Sequence, residues 1–228
     1  MRIGDIVYFL YLSAIGAFLV FEPTRNAFEY ATNLLPQIMG FFKFVILATS
    51  GELLLRRIKS GKWSFKGINI ISRAFVWGII GVLISYVFPI FSAGTKFIIN
   101  SGKYLPVFSE SLPLLNTIST SFWISLITNV FFGFGEMIFY SFADTLIDEG
   151  MFWKKWRFVY IWKKIDWDSM FGVVFPSIFW FWLPMHTITF SLPYEYQVLM
   201  AAALGIALGI ILTFAKLSAK KKVEEPEV

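Results

Sequence analysis

The stretch PSIFWFWLPMHTITFSLPYEYQVL, Pro176 to Leu199, decides how the rest of the chain is read. It is apolar enough to cross a bilayer, yet it contains Pro176, Pro184 and His186, the single histidine, followed by Thr187 and Thr189. A proline inside a membrane helix leaves the carbonyl one turn earlier without its donor, here near Trp180, and in hydrocarbon that oxygen needs another partner. Such a helix packs against protein or water, not lipid alone. Two readings stay open: Pro184 bends the helix while His186 hydrogen-bonds a neighbour, or the two belong to a ligand or gating site.

Working outward, the 228 residues are 57% hydrophobic, 20% aromatic and only 15% charged, with a mean hydropathy of +0.67. That profile belongs to a polytopic membrane protein whose partner is the lipid bilayer. The net charge of +5 does not indicate a nucleic-acid partner, because the basic residues sit in short clusters between apolar spans. The absence of cysteine removes disulfides, thiolate metal sites and a cysteine nucleophile.

Six membrane spans are expected in one all-α bundle, at about 3–21, 34–55, 69–91, 116–143, 170–192 and 194–217, with a charged cytoplasmic tail at 218–228. The first is read as a retained helix and not a signal peptide: its basic region is one arginine, and FEPTRN at 21–26 makes a poor cleavage site. No Arg-rich, Ser-rich transit segment precedes it, which points to a prokaryotic plasma membrane. The third span carries Ala74, Gly78, Gly81 and Ser85 at spacings of three and four, a row of small residues suited to close helix packing, and ends at Pro89. Residues 92–115 are expected to be loop. In the fourth span Ser121, Ser125, Asn129, Gly133, Glu136 and Tyr140 recur every three or four residues and make one polar face, which lipid cannot cover. The Trp- and Lys-rich segment 144–168 reads as a connector lying at the membrane surface. Gly205 and Gly209 form a G-x-x-x-G that packs an internal neighbour or pairs two copies of the chain as a homo-oligomer.

Trp182, Pro184, His186, Thr189, Phe190, Pro193 and Tyr196 spell W-x-P-x-H-x-x-T-F-x-x-P-x-x-Y. This resembles the C-terminal signature of the Mpv-seventeen and peroxisomal membrane protein family, in which Trp and Pro precede Gln-x-x-Asn-Phe and then a Pro and a Tyr-Arg-like pair. His186 stands where the family usually has Gln, Thr189 where it has Asn, and Gln197 where it often has Arg. ATSGELLLRRI resembles the family's Gly-Asp element with Glu52 in place of Asp, and Arg73 with the glycine-rich helix after it resembles a second block. The resemblance covers roughly residues 41–213. It implies an integral membrane protein associated with weakly selective pores, which the family forms in inner mitochondrial and peroxisomal membranes.

Glu52, Arg73 and Glu136 fall within roughly 10 Å of one level, about one to two turns from the same membrane face. Two acids and a base in hydrocarbon are expected to pair, either as a staple between helices or as the charged lining of a vestibule. A pore for ions or small solutes would be lined by Ser121, Ser125, Asn129 and Glu136, with His186 near its outer end. The competing reading is a non-transporting scaffold or sensor, in which the polar face is only an interhelical network. Enzyme templates lack their parts: there is no G-x-S-x-G, H-E-x-x-H or G-x-x-x-x-G-K-[ST], and no cofactor is implied.

Orientation follows from basic residues. With six crossings, fifteen of the twenty lie on the side of both termini and three (Arg25, Lys96 and Lys103) opposite, with Lys43 and Arg73 left inside the membrane. The positive-inside rule makes both termini cytoplasmic. Cysteines introduced at Ser60 and Ser101 should therefore react with impermeant reagent from opposite faces, and labelling of both from one face overturns the arrangement.

Overall fold

The computed structural model describes residues 2–63, 67, 69–102, 105–108, 111–207 and 210. Their regular structure is helical: α1 Ile3–Val20, α2 Glu22–Leu34, α3 Pro36–Ser60, α4 Ile70–Asn100, α5 Pro113–Asp148, α6 Phe158–Lys164, α7 Trp167–Ser191, and α8 over residues 194–207. Five of these, α1, α3, α4, α5 and α7, are long and apolar enough to cross a membrane. Residues 211–217 of the sixth expected span, and the tail 218–228, lie outside the described residues.

Helix starts and stops follow local chemistry. Pro23, Pro36 and Pro113 open α2, α3 and α5 in the first turn, where the missing N–H has no intrahelical partner to lose. Gly61 closes α3 in the left-handed region at φ 69°, which a residue without Cβ enters at little cost. Neighbouring spans alternate in direction. Asp5, Tyr8 and Tyr11 of α1 meet Arg57, Ser50 and the Ile46 carbonyl of α3 in reverse order, so these two are antiparallel. Gly40 and Glu52 of α3 likewise meet Gly81 and Arg73 of α4, and Arg73 and Trp77 meet Asp144 and Tyr140 of α5. Against α3, α8 runs parallel: Lys43 donates to the Glu195 carbonyl (2.9 Å), and Gly51 lies against Ile206.

The bundle core is the α3–α4 interface, where Phe44, Leu47, Ala48, Val76, Ile80 and Ile84 are buried, extended by Phe88, Ile124 and Phe190. In lipid the apolar face alone supplies no driving force, so close packing must hold the helices together. Gly40 and Gly81 provide it: a Cβ on Gly81 would fall on the Gly40 carbonyl oxygen, and a Cβ on Gly78 would enter the Phe41 ring. The small-residue row read from the sequence is therefore a packing face. By contrast α1 buries none of its residues, and its Ile3, Val7, Phe9 and Leu10 face outward as on a lipid-facing helix.

Several boundaries differ from expectation, beginning with α3, which runs to Ser60 and not to 55. Glu22–Leu34, between the first two expected spans, form amphipathic α2, which buries Phe28 and Thr32 while exposing Tyr30 and Leu34. The third helix does not stop at Pro89 but runs through it to Asn100, about 46 Å at 1.5 Å per residue, so residues 92–100 of the expected 92–115 loop are helix. The fourth begins at Pro113 and continues past Ala143 to Asp148. The connector 144–168 contains α6, whose Phe158, Val159 and Tyr160 are exposed, with Phe158 stacked on Phe142. Outside the spans, Lys164 lies 2.5 Å from Glu149 and holds that carboxyl below its usual range, while Glu149 raises the lysine.

Gly81→Val should lower the melting temperature in detergent by the equivalent of about 1 to 3 kcal/mol, the usual cost of overpacking. Gly94 lies on the same helix with open space around it, so Gly94→Ala should leave the melting temperature unchanged or raise it. Equal behaviour of the two variants would count against a close α3–α4 crossing.

Candidate functional site

A cluster of charged residues lies at the end of the bundle where α3 stops and α4 starts. Arg73, with 14% of its side chain exposed, places Nη1 3.1 Å from Glu52 Oε2, pairs the same nitrogen with Asp144, and places Nη2 2.6 Å from Asp148. Glu52 is then saturated, because its other oxygen accepts from Trp77 Nε1 at 2.5 Å and from Tyr140 Oη at 3.0 Å. The expected Arg73–Glu52 pair is present. Glu136 is not its second acid; Asp144 and Asp148 are. Those two aspartates continue the row Glu136, Tyr140, Asp144, Asp148 at four-residue spacing, a signal lost by ending the span at Ala143.

Above this cluster, in the middle of the bundle, lies a chamber of about 270 Å³. Glu52, Trp77, Asn129, Glu136, Tyr140, Trp182, His186 and Gly205 contribute to its wall. Its shape comes from interrupted helices. Pro176 and Pro184 remove a main-chain donor from α7 and crowd the carbonyl four residues earlier, so the helix widens into a π turn before each, Met170–Val174 and Ile178–Trp182. Phe175 N–H accordingly donates to the Met170 carbonyl and Leu183 N–H to that of Ile178, five residues back. A third π turn, Asn129–Gly133, faces them from α5. There the Asn129 amide donates to the Ser125 carbonyl (2.8 Å), which it shares with its own main-chain N–H.

The polar face of α5 divides at this level. Ser121 and Ser125 are buried, and Ser125 Oγ donates to the Leu183 carbonyl of α7 (2.8 Å), so this half bonds helix to helix. Asn129, Gly133, Glu136 and Tyr140 line the chamber. His186 is 7% exposed and sits among Phe88, Trp182 and Phe190, on the chamber wall and not at an outer mouth. Asn129 Nδ2 lies 3.2 Å from His186 Nδ1. With the amide as donor, Nδ1 accepts and Nε2 carries the proton. That Nε2 and Trp182 Nε1 are both buried without a partner among the described residues. Glu136, half-buried, likewise has no hydrogen bond or ion pair among them.

The remaining motif positions have structural duties. Pro184 follows the π turn, and Thr189, fully buried, donates to the Met185 carbonyl (3.0 Å). Phe190 packs on Phe88 with ring centres 4.7 Å apart. Pro193 precedes α8, and Tyr196 donates to Glu29 of α2 (2.5 Å). Gly205 has open space where a Cβ would stand, while Gly209 lies outside the described residues. Among the described residues no group of three or more acidic or histidine side chains is arranged to hold a metal ion.

Arg73→Leu should destabilise the protein by about 3 to 5 kcal/mol, the cost of leaving buried acids uncompensated. Adding Asp144→Asn should recover part of that loss of melting temperature, whereas adding Glu136→Gln should recover none. Rescue by Glu136→Gln alone would contradict the pairing described.

Comparison of the chain with protein-family models, with curated proteins and with solved structures finds no match.

Proposed function

We propose that the chain is a multi-pass plasma-membrane protein with six spans and cytoplasmic termini, similar to the Mpv-seventeen family, and that its chamber is the middle of a weakly selective pathway for ions or small solutes. The observation that carries this reading is Glu136, an acid in the centre of a membrane bundle with no partner among the described residues. A carboxylate is expensive at that depth, and natural bundles pair such groups unless a solute or water meets them. The alternation of helix directions and the clustering of basic residues at one end support six crossings. In a chamber of low dielectric one unpaired carboxylate attracts cations and repels anions, because field lines concentrate where water is scarce.

A second reading, a non-transporting scaffold or sensor, draws on the packed upper half of the α5 face, where Ser125 is bonded to α7 instead of lining an open lumen. Under the pathway reading that seam and the Arg73 cluster are the two gates.

Purified protein in planar bilayers should give a conductance whose reversal potential in a salt gradient is displaced toward that of the cation. Glu136→Gln should move the reversal potential toward zero more than it lowers total conductance. Absence of conductance or solute flux above empty liposomes at every voltage would remove the pathway and leave the scaffold or sensor.

A further inference from the structure

The chamber has two chemically different ends. At one, His186 Nε2–H and Trp182 Nε1–H are donors with no acceptor among the described residues. At the other, the Glu136 carboxylate is an acceptor with no donor among the described residues, one turn from Tyr140, whose ring lies 4.7 Å from that of Trp77. Buried donors left unsatisfied cost more than bonded ones contribute, so the arrangement is complementary to something that supplies acceptors there. The ends are separated along α5 by the seven residues from Asn129 to Glu136, up to about 10 Å. A single monatomic cation satisfies only the acidic end.

Resting on the reading of the chamber as a solute site, we propose that it takes an organic monocation that also carries a hydrogen-bond acceptor at its far end. The ammonium group sits at Glu136 against the faces of Trp77 and Tyr140, where carboxylate attraction and ring quadrupoles act together. The acceptor, a carbonyl or ether oxygen, receives hydrogen bonds from His186 and Trp182. The intervening carbons lie along the apolar wall formed by Phe44, Ala48 and Ile84. Glu52, already saturated by Arg73, Trp77 and Tyr140, offers no second anionic site and does not select a dication.

The test uses the full chain in detergent, read by tryptophan fluorescence and by melting temperature, with four probes built on the same four-carbon chain. These are n-butylammonium, neutral N-butylacetamide, the mono-N-acetylated diaminobutane that carries both features, and butyrate. The two-ended probe should bind about tenfold more tightly than n-butylammonium, the increment expected of acceptor contacts to otherwise unpaired donors. N-butylacetamide should bind more weakly than either cation, and butyrate not at all. Glu136→Gln should remove the preference for cations over N-butylacetamide. Trp182→Phe, which keeps the ring and deletes the N–H, should narrow the gap between the two cationic probes. The wild-type comparison stands even where a variant fails to fold. Equal affinity of the two cations, tighter binding of butyrate, or no response to any probe, as for a chamber that holds only water, overturns the proposal. Proteoliposomes that conduct potassium while the probes show no preference would overturn this inference and leave the pathway; probe binding without flux would do the reverse.

Discussion

Arg73 is the constraint on which the rest of the bundle depends. A guanidinium does not give up its proton, so a fold that draws it between helices must bring carboxylates to it. Those carboxylates come from two other helices, Glu52 from α3 and Asp144 and Asp148 from α5, which fixes the register of both against α4 at one end. The Gly40–Gly81 contact then sets how closely α3 and α4 cross. Electrostatics determines which residues must meet, and the small side chains determine how near the backbones come. Neither requirement concerns hydrophobicity, consistent with a setting in which apolar surface has nothing to escape from.

Against that rigid end, α7 is built to be irregular. Two prolines and the π turns before them swing Trp182 and His186 onto the chamber wall while leaving Leu183 to accept from both Ser125 and Thr187. The Leu183 carbonyl lies inside the bundle, so the hydroxyls of Ser125 and Thr187 supply the donors that water would otherwise have to bring. On α5 a third π turn arises with no proline at all, where the Asn129 side chain takes up part of the bonding capacity of the Ser125 carbonyl. Facing π turns on adjacent helices open space between them without breaking either helix.

Much of this was legible in the sequence because it rests on composition and spacing. The apolar spans, the small-residue row and the Arg73–Glu52 pair follow from length, periodicity and the intolerance of lone charges. What escaped was decided by context. Pro89 reads as a stop, yet in a membrane helix a proline is tolerated when neighbours satisfy the freed carbonyl, and α4 runs on through it. Amphipathic α2 is short and polar enough to resemble a loop, and its contacts with α8, Asn33 to Glu195 and Glu29 to Tyr196, lie more than 160 residues away in the chain. The π turn at Asn129 has no residue type that announces it. Asp144 and Asp148 sat just beyond an assumed membrane boundary, although they continue the face that begins at Glu136.

Glu52 and Glu136 show why identical side chains at similar depth come to different ends. Glu52 is met by three donors from two helices, and two of them, Trp77 Nε1 and Tyr140 Oη, would lose their acceptor if it left, so its charge is spent on architecture. Glu136 lies two turns from Asp144 on the same helix, on the chamber wall, and is not among the acids paired with Arg73. Tyr140, four residues on along the same helix, donates its hydroxyl hydrogen to Glu52. Arg73 thus reaches the chamber wall through Glu52, which also accepts from Trp77 and Tyr140, so both of those donors are already engaged. Glu136, on the chamber wall, has no partner among the described residues, while Glu52 beneath it has three.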